Sequence, residues 1–289
     1  MSEKLVDSQL LKKIERLKLN SNMILHLGST GERKSISKGS SVEFSDFREY
    51  IPGDDFRKID WNAYMRFEKL FLKLFVEERE AQINIIIDNT LSMDFGDKNK
   101  LFVAKQISCL LSYVTISGMD RVNINYLDNG KLKSSGFISG KNNFNKIVKV
   151  LDSIEPQSGC DLFQELLKAN FKKGISIVLS DCFSENRIEG IKYLNYLKQD
   201  VCLIQILEKG EISPIHSGEV RLIDKESGEK VDVSISKAVL ENYHKRYLDF
   251  VQEIKDVCNK YGNKHIVISS ECSIDEILFD KLGHVGIIG

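Results

Sequence analysis

The feature that most constrains this chain is a set of short, nearly continuous apolar runs separated by stretches with helical periodicity. Residues 83–87 read Ile-Asn-Ile-Ile-Ile, 175–179 read Ile-Ser-Ile-Val-Leu and 201–207 read Val-Cys-Leu-Ile-Gln-Ile-Leu. Runs this short and this apolar fit strands covered on both faces, the situation of a parallel sheet. Helical spacing falls between and around them, over 100–117, 142–154, 161–171, 187–198 and 238–261. Further strands are expected at 122–127, 132–137 and 265–269, with a closing helix near 274–282. Strands that alternate with helices predict an α/β fold: a doubly wound, mostly parallel sheet with helices on both faces.

Two segments depart from the alternation. Residues 219–224 and 230–235 flank Glu226-Ser-Gly-Glu229, which predicts a β-hairpin insertion at about 211–236 with Gly228 in the turn. Ahead of the alternation, 5–27 carries apolar residues at near-helical spacing and predicts a helix. Residues 28–41 are rich in Gly, Ser and Lys and predict a loop, and 70–76 predicts a strand within an otherwise irregular, charged stretch. The chain therefore divides at the sequence level into 1–80, an extension packing on the core, and 81–289, the wound domain.

Composition narrows the functional classes. The 41 Lys and Arg residues nearly balance 42 Asp and Glu, so no long-range field draws nucleic acid or anionic lipid, and neither is the expected partner. The longest weakly polar stretch, 107–119, is shorter than the roughly 20 residues a bilayer requires, so no direct membrane insertion is expected. The six cysteines (Cys109, Cys160, Cys182, Cys202, Cys258, Cys272) show no C-x-x-C spacing, and several lie in apolar runs as small hydrophobes. That usage fits a reducing compartment, and the cytoplasm is the expected location.

Ligands of open α/β sheets bind beyond the carboxyl ends of the strands. Here 83–87 runs into Asp88-Asn89-Thr90-Leu91-Ser92, and 175–179 runs into Ser180-Asp181. Asp88, Thr90 and Ser92 can aim one carboxylate and two hydroxyls at a common point, with Asp181 adding a second carboxylate from across the crevice. Such hard oxygen donors suit Mg2+ or Mn2+. The same three residue types also make good helix N-caps, so the pattern alone admits either role.

Upstream lies a denser pattern: Glu43-Phe44, Arg48, Tyr50, Pro52-Gly53-Asp54-Asp55, Arg57, Ile59-Asp60-Trp61 and Arg66. Pro52-Gly53 suits the two central positions of a type II turn. The interleaved Arg and Asp residues fit either an ion-pair clasp on the wound domain or a docking surface with Trp61, the only tryptophan, as its anchor. This signature resembles that of the bacterial "domain of unknown function 58" family, which carries a von Willebrand factor A-like (vWA) domain. The resemblance extends from the N-terminal helix through Gly31, Ser35 and Gly39 to the hairpin.

The resemblance implies a metal-ion-dependent adhesion site at Asp88, Thr90, Ser92 and Asp181. It also implies a protein-interaction role without catalysis, as an adaptor or co-chaperone acting with a MoxR-type AAA+ ATPase and a client protein. Many relatives carry N-terminal membrane helices, and this chain resembles the short form that lacks them. Three positions differ from the usual pattern: Thr90 replaces a Ser, Ser41 replaces a Gly, and Cys160 stands where a Thr ligand is usual. A thiol is a soft, weak ligand for Mg2+, so Cys160 implies a weakened or absent metal site and leaves a metal-free scaffold as one reading.

Enzymatic alternatives fit less well. A Mg2+-dependent phosphatase of the haloacid dehalogenase type would use Asp88 as nucleophile, but Thr90 occupies the position of its general acid. Neither a phosphate-binding Gly-Lys-Ser/Thr loop nor a dinucleotide Gly-x-Gly-x-x-Gly follows any expected strand.

Overall fold

The computed structural model describes residues 5–15, 17, 19, 42–77, 80–96, 98–214, 218–223, 230–284 and 286–287. In chain order the elements begin with α1 (Ser8–Ile14), β1 (Val42–Glu49), α2 (Trp61–Phe67) and β2 (Phe71–Glu77). The sheet-forming part follows with β3 (Gln82–Ile87), α3 (Lys100–Ser117), β4 (Arg121–Asp128), β5 (Lys131–Ser134), α4 (Phe144–Asp152), α5 (Leu162–Leu166) and β6 (Gly174–Ser180). It ends with α6 (Arg187–Tyr196), β7 (Gln199–Leu207), α7 (Lys209–Ile212), β8 (Gly218–Ile223), β9 (Lys230–Ile235), α8 (Lys237–Lys260), β10 (Lys264–Ser269) and a π-helical segment, Glu276–Leu282.

Contacts divide the chain into two units, one of Gly31–Glu80 and one of Met1–Thr30 with Ala81–Gly289, so α1 groups with the wound part of the chain. In that larger unit six strands form one sheet in the order β10-β7-β6-β3-β4-β5. Every neighbouring pair from β10 to β4 is parallel, and β5 closes the edge antiparallel to β4. This is the mostly parallel α/β sheet that the apolar runs predict.

Strand alternation explains its two cores. Ile83, Ile85 and Ile87 point to one face, where Ala104, Ile107 and Leu111 of α3, Ile147 and Leu151 of α4, and Leu278 and Leu282 of the closing segment cover them. Ile86, Val178 and Leu203 point to the other face, under Leu162 and Phe163 of α5, Ile191 and Leu194 of α6, and Ile254 and Cys258 of α8. Helices α5 and α6 sit close because Gly190 has no side chain; a Cβ there would lie 2.7 Å from the Phe163 ring. Among the described residues no helix is long and apolar enough to cross a membrane.

Several expected elements change in extent. The helix expected over 161–171 spans only Leu162–Leu166, and the strand expected over 132–137 is Lys131–Ser134. The N-terminal helix is Ser8–Ile14 among the described residues; most of 16–27, the loop at 28–41 with Gly31, Ser35, Gly39 and Ser41, and the Gly228 turn lie outside them. The hairpin strands β8 and β9 pair antiparallel, as expected.

The Gly31–Glu80 unit holds structure where the sequence reads as irregular. Strand β1 pairs antiparallel with β2, and α2 lies between them in sequence. Gly53 has φ of 110°, and Asp54 N donates to the Ile51 carbonyl at 3.1 Å, which closes the Pro52-Gly53 turn. The acidic residues of the signature serve this local structure. Asp54 takes hydrogen bonds from Arg48 Nη2 at 2.8 Å and from Ile51 N at 3.0 Å. Asp55 accepts from Arg57 N, and Asp60 caps α2 by accepting from Asn62 N and Ala63 N. Trp61 is 59% exposed and meets Tyr64 edge-on, while Arg57 and Arg66 lie at the surface.

Candidate functional site at the carboxyl rim of the sheet

Strands β3 and β6 are parallel neighbours with Ile87 opposite Leu179, so the chain segments leaving them emerge side by side. Asp88 N donates to the Leu179 carbonyl at 2.9 Å, which extends the pairing to the first residue of the turn. Asp88, Thr90 and Asp181 are all buried there.

The expected convergence of Asp88, Thr90 and Ser92 is present. Asp88 Oδ1 accepts from Thr90 N at 3.1 Å and from Thr90 Oγ1 at 2.7 Å, and Thr90 Oγ1 lies 3.0 Å from Ser92 Oγ. Asp88 Oδ2 accepts from Ser180 Oγ at 2.6 Å. The Thr90 hydroxyl is thus bound to the carboxylate and makes no cap bond to the short 3-10 turn Leu91–Met93. Burial, reinforced by the nearby charge of Asp181, pushes the Asp88 carboxyl up to about 6 against these hydrogen bonds.

Asp181 meets a partner that the sequence pattern did not identify. Its Oδ1 accepts from Phe183 N at 3.0 Å, and its Oδ2 accepts from Lys100 Nζ at 2.9 Å. Lys100 is fully buried, and its ammonium also donates to Glu211 Oε1 at 2.7 Å. Glu211 is held by a capping box at α7, where its Oε2 accepts from Glu208 N at 2.7 Å. Burial raises the Glu211 carboxyl, partly offset by Lys100. The rings of Phe95 and Phe183 approach the ammonium at 5.9 and 5.3 Å, and both remain over 40% exposed at the surface.

Lys100 had a signal in the sequence. It shares a helical face with Ala104, Ile107 and Leu111, all buried, so a lysine stands at the head of a core stripe. A buried ammonium requires a carboxylate partner. Asn89 is a second residue that the pattern passed over. Its side chain donates to the Leu127 and Glu155 carbonyls and accepts from Leu127 N, and its carbonyl accepts from Gln157 N, so it stitches three rim segments together.

Cys160 lies half-buried against the second apolar layer. Its neighbour Asp161 starts α5 by accepting from Phe163 N and Gln164 N, and its other oxygen takes Ser184 Oγ and Asn186 Nδ2, both at 2.8 Å. That carboxylate braces the turn after Asp181.

The donor set at Asp88, Thr90 and Ser92 is hard, compact and oxygen-only, the chemistry that fits Mg2+ or Mn2+. The surrounding charge favours a cation as well, since Asp181 and Glu211 share the one Lys100 ammonium and the charge of Asp181 also acts on Asp88. Against it stands Lys100, which already occupies the Asp181 oxygen that faces α3.

Known proteins resemble the chain over most of its length. It is 22% identical over 226 residues to the uncharacterized protein Rv1480 of Mycobacterium tuberculosis (strain ATCC 25618 / H37Rv), covering 74% of this chain and 70% of the relative. The same values hold for the uncharacterized protein Mb1516 of Mycobacterium bovis. Among solved structures, the conserved hypothetical protein BatB from Bacteroides thetaiotaomicron is similar at a TM-score of 0.44 with 12% identity, covering 71% of this chain and 98% of that one. The vWA domain of SpRpn10 is similar at a TM-score of 0.40 with 11% identity, covering 70% and 95%. Residues 46–252, which take in both Arg48–Arg66 and the rim from Asp88 to Glu211, match one family over well over half of the chain, and the protein belongs to that family, described as "Protein of unknown function DUF58".

Proposed function

We propose that this protein is a non-enzymatic protein-binding module that contacts its partners at the carboxyl rim of the sheet. The observation that carries this reading is the convergence of Asp88, Thr90 and Ser92 beside the Lys100–Asp181 pair, rimmed by the exposed rings of Phe95 and Phe183. An ionic centre with exposed aromatic neighbours has the make-up of an interaction hot spot. In the proposal the module acts in the cytoplasm as an adaptor or co-chaperone with a MoxR-type AAA+ ATPase, the partner class that the sequence resemblance implies, and delivers a client to it.

The Asp88, Thr90 and Ser92 oxygens would hold Mg2+ or Mn2+, which would supply an electrophilic centre for a carboxylate of the partner. Asp181 would remain on Lys100 and act through its charge. A second reading, favoured by Lys100 itself, is a metal-free rim in which that ammonium is the built-in cation.

Thermal unfolding in the presence of Mg2+ or Mn2+ separates the two readings, because a ligand bound only to the folded state raises its melting temperature. The metal-assisted reading expects stabilisation of the wild type, none for Asp88→Ala, and a larger gain for Cys160→Thr. A flat response in all three proteins leaves the metal-free rim. The adaptor role expects a MoxR-type ATPase to co-purify at low salt, and to be lost from a Phe95→Ala/Phe183→Ala variant that still folds. Failure of the folded ATPase to bind the wild type would overturn that role.

A further inference from the structure

The second face of the sheet carries a polar row where a packed core would place aliphatic side chains. Asn84 is the register partner of Ser176 on one neighbouring strand and of Asn123 on the other, and Asn125 is the partner of Ser134. Asn84, Asn123, Asn125 and Ser176 are all buried. They lie on the face of Ile86, whereas the opposite face at the same level is Ile83, Ile85, Val122 and Ile124. Asn84, Asn123 and Asn125 line the base of a cleft beside α5, which stops at Leu166, the chain from 167 to 173 continuing without helix.

The cleft above this row has a volume of about 700 Å3, within the range of small-molecule sites. Its walls divide into three chemistries. The floor is the amides of Asn84, Asn123 and Asn125; Phe137 and Phe171 contribute aromatic wall; and Arg121, Lys131, Lys168 and Lys172 stand at the mouth, where Lys168 is ion-paired with Glu165 at 2.5 Å.

The floor is organised yet retains capacity. Asn123 Nδ2 donates to Asn84 Oδ1 at 3.1 Å and to Asn125 Oδ1 at 3.2 Å, and Asn123 Oδ1 accepts from Ser134 Oγ at 2.7 Å. Asn84 spends one N–H on Gln199 Oε1, at 3.4 Å. An asparagine amide has two N–H donors and an oxygen with two lone pairs, so Asn84 keeps one of each. Gln82 Oε1, also in the cleft wall, is buried with no hydrogen-bond partner among the described residues. Both donors and acceptors are therefore on offer from a fixed, neutral surface.

We infer that this cleft is a second binding site, and that its ligand is a nucleoside monophosphate. A planar base with alternating donors and acceptors matches the amide floor and has ring faces for Phe137 and Phe171. The phosphate matches the basic mouth. A single nucleotide suits the volume. Asp88 lies four positions beyond Asn84, just past the end of β3, about 13 Å away at strand rise, so the site is distinct from the rim and independent of any metal there.

Isothermal titration of the full chain with AMP, GMP, CMP and UMP tests the inference, with the free nucleosides and inorganic phosphate as separate arms. At least one nucleotide is expected to bind at least tenfold more tightly than its nucleoside or phosphate alone. Lys168→Glu/Lys172→Glu, which changes only exposed side chains, is expected to lower that affinity at least tenfold with an unchanged melting temperature. Phe137→Ala is expected to lower it several-fold. No binding of any nucleotide at millimolar concentration overturns the proposal. So does an affinity indifferent to the lysine pair, or inorganic phosphate binding as tightly as the nucleotide.

Discussion

Two buried polar clusters occupy the same sheet, and they differ in kind. The rim holds ionisable groups, Asp88, Asp181 and Lys100, whereas the mid-strand row holds neutral amides, Asn84, Asn123 and Asn125. The backbone explains the division. At the strand ends the ladder stops, and freed N–H groups turn toward the carboxylates, as Thr90 N does to Asp88 and Phe183 N does to Asp181. In mid-strand β3 is paired on both sides, with β4 and with β6, so a charge there would have mainly side chains to solvate it. Amides can satisfy one another, and burying a neutral amide costs far less than burying an unpaired ion. Charge is tolerated where the sheet ends, and polarity without charge where it continues.

Lys100 is where this contrast breaks most sharply. Lys100→Met keeps the volume of the side chain but leaves Asp181 fully buried with no cation, and Glu211 loses the same partner. Removal of one member of a buried pair costs about 3–5 kcal/mol. We expect a loss of that size in urea unfolding, with Asp181→Asn in the same chain recovering more than half of it. A loss below about 1 kcal/mol would mean that water reaches the rim and that the pair is a surface one.

A smaller effect follows from His265, which joins the two kinds of environment. Its Nε2 lies 3.1 Å from Gln205 Oε1, and Gln205 Nε2 donates to the Asp181 carbonyl. Burial, with a lesser contribution from Lys255, holds the imidazole down at about 4. Above pH 6.5 the ring is neutral both folded and unfolded and has no effect on stability. As pH falls below 6.5 the unfolded chain takes up a proton that the folded chain refuses, so stability declines until about pH 4 and then levels. The full window corresponds to about 3 kcal/mol. Between pH 7.5 and 4.5 the wild type should therefore lose about 2–3 kcal/mol more than His265→Gln in urea unfolding. Parallel pH profiles would show that the ring is hydrated in the folded state.

The same contrast marks what the sequence reveals. The apolar runs at 83–87, 175–179 and 201–207 disclosed the sheet because continuous burial leaves a continuous signature. The two turns at Asp88 and Asp181 were legible because each directly follows such a run. The pairing around them was not: Lys100 stands out only as a lysine on a core stripe, and because it and Glu211 are 81 and 30 residues from Asp181 in sequence, only the wound topology shows that its ammonium meets both carboxylates. Strand β1 and helix α2 escaped notice because turn and capping residues, Asp54, Asp55 and Asp60, interrupt the periodicity around them. The amide row stayed hidden for a different reason. Asn84 and Ser176 each sit singly inside an apolar run, where one polar residue reads as an exception, and register alone aligns them across strands.

The amide row gives the smallest predicted effect and the finest test of the comparison. Asn123→Val withdraws two donors, leaving Asn84 Oδ1 and Asn125 Oδ1 without them, and takes the acceptor from Ser134. Unsatisfied neutral groups cost about 1–3 kcal/mol each in a dry interior, but these face a cleft that water can enter. A net loss of about 1–2 kcal/mol is expected in urea unfolding. Adding Asn84→Leu should cost less than its effect alone, because the two side chains then remove each other's unmet demand and cover the sheet with aliphatic surface. If Asn123→Val costs as much as Lys100→Met, the row is as sealed as the rim. Dipole and charge would then have been buried on equal terms, and neutrality would not be what allows the asparagines to stand in mid-strand.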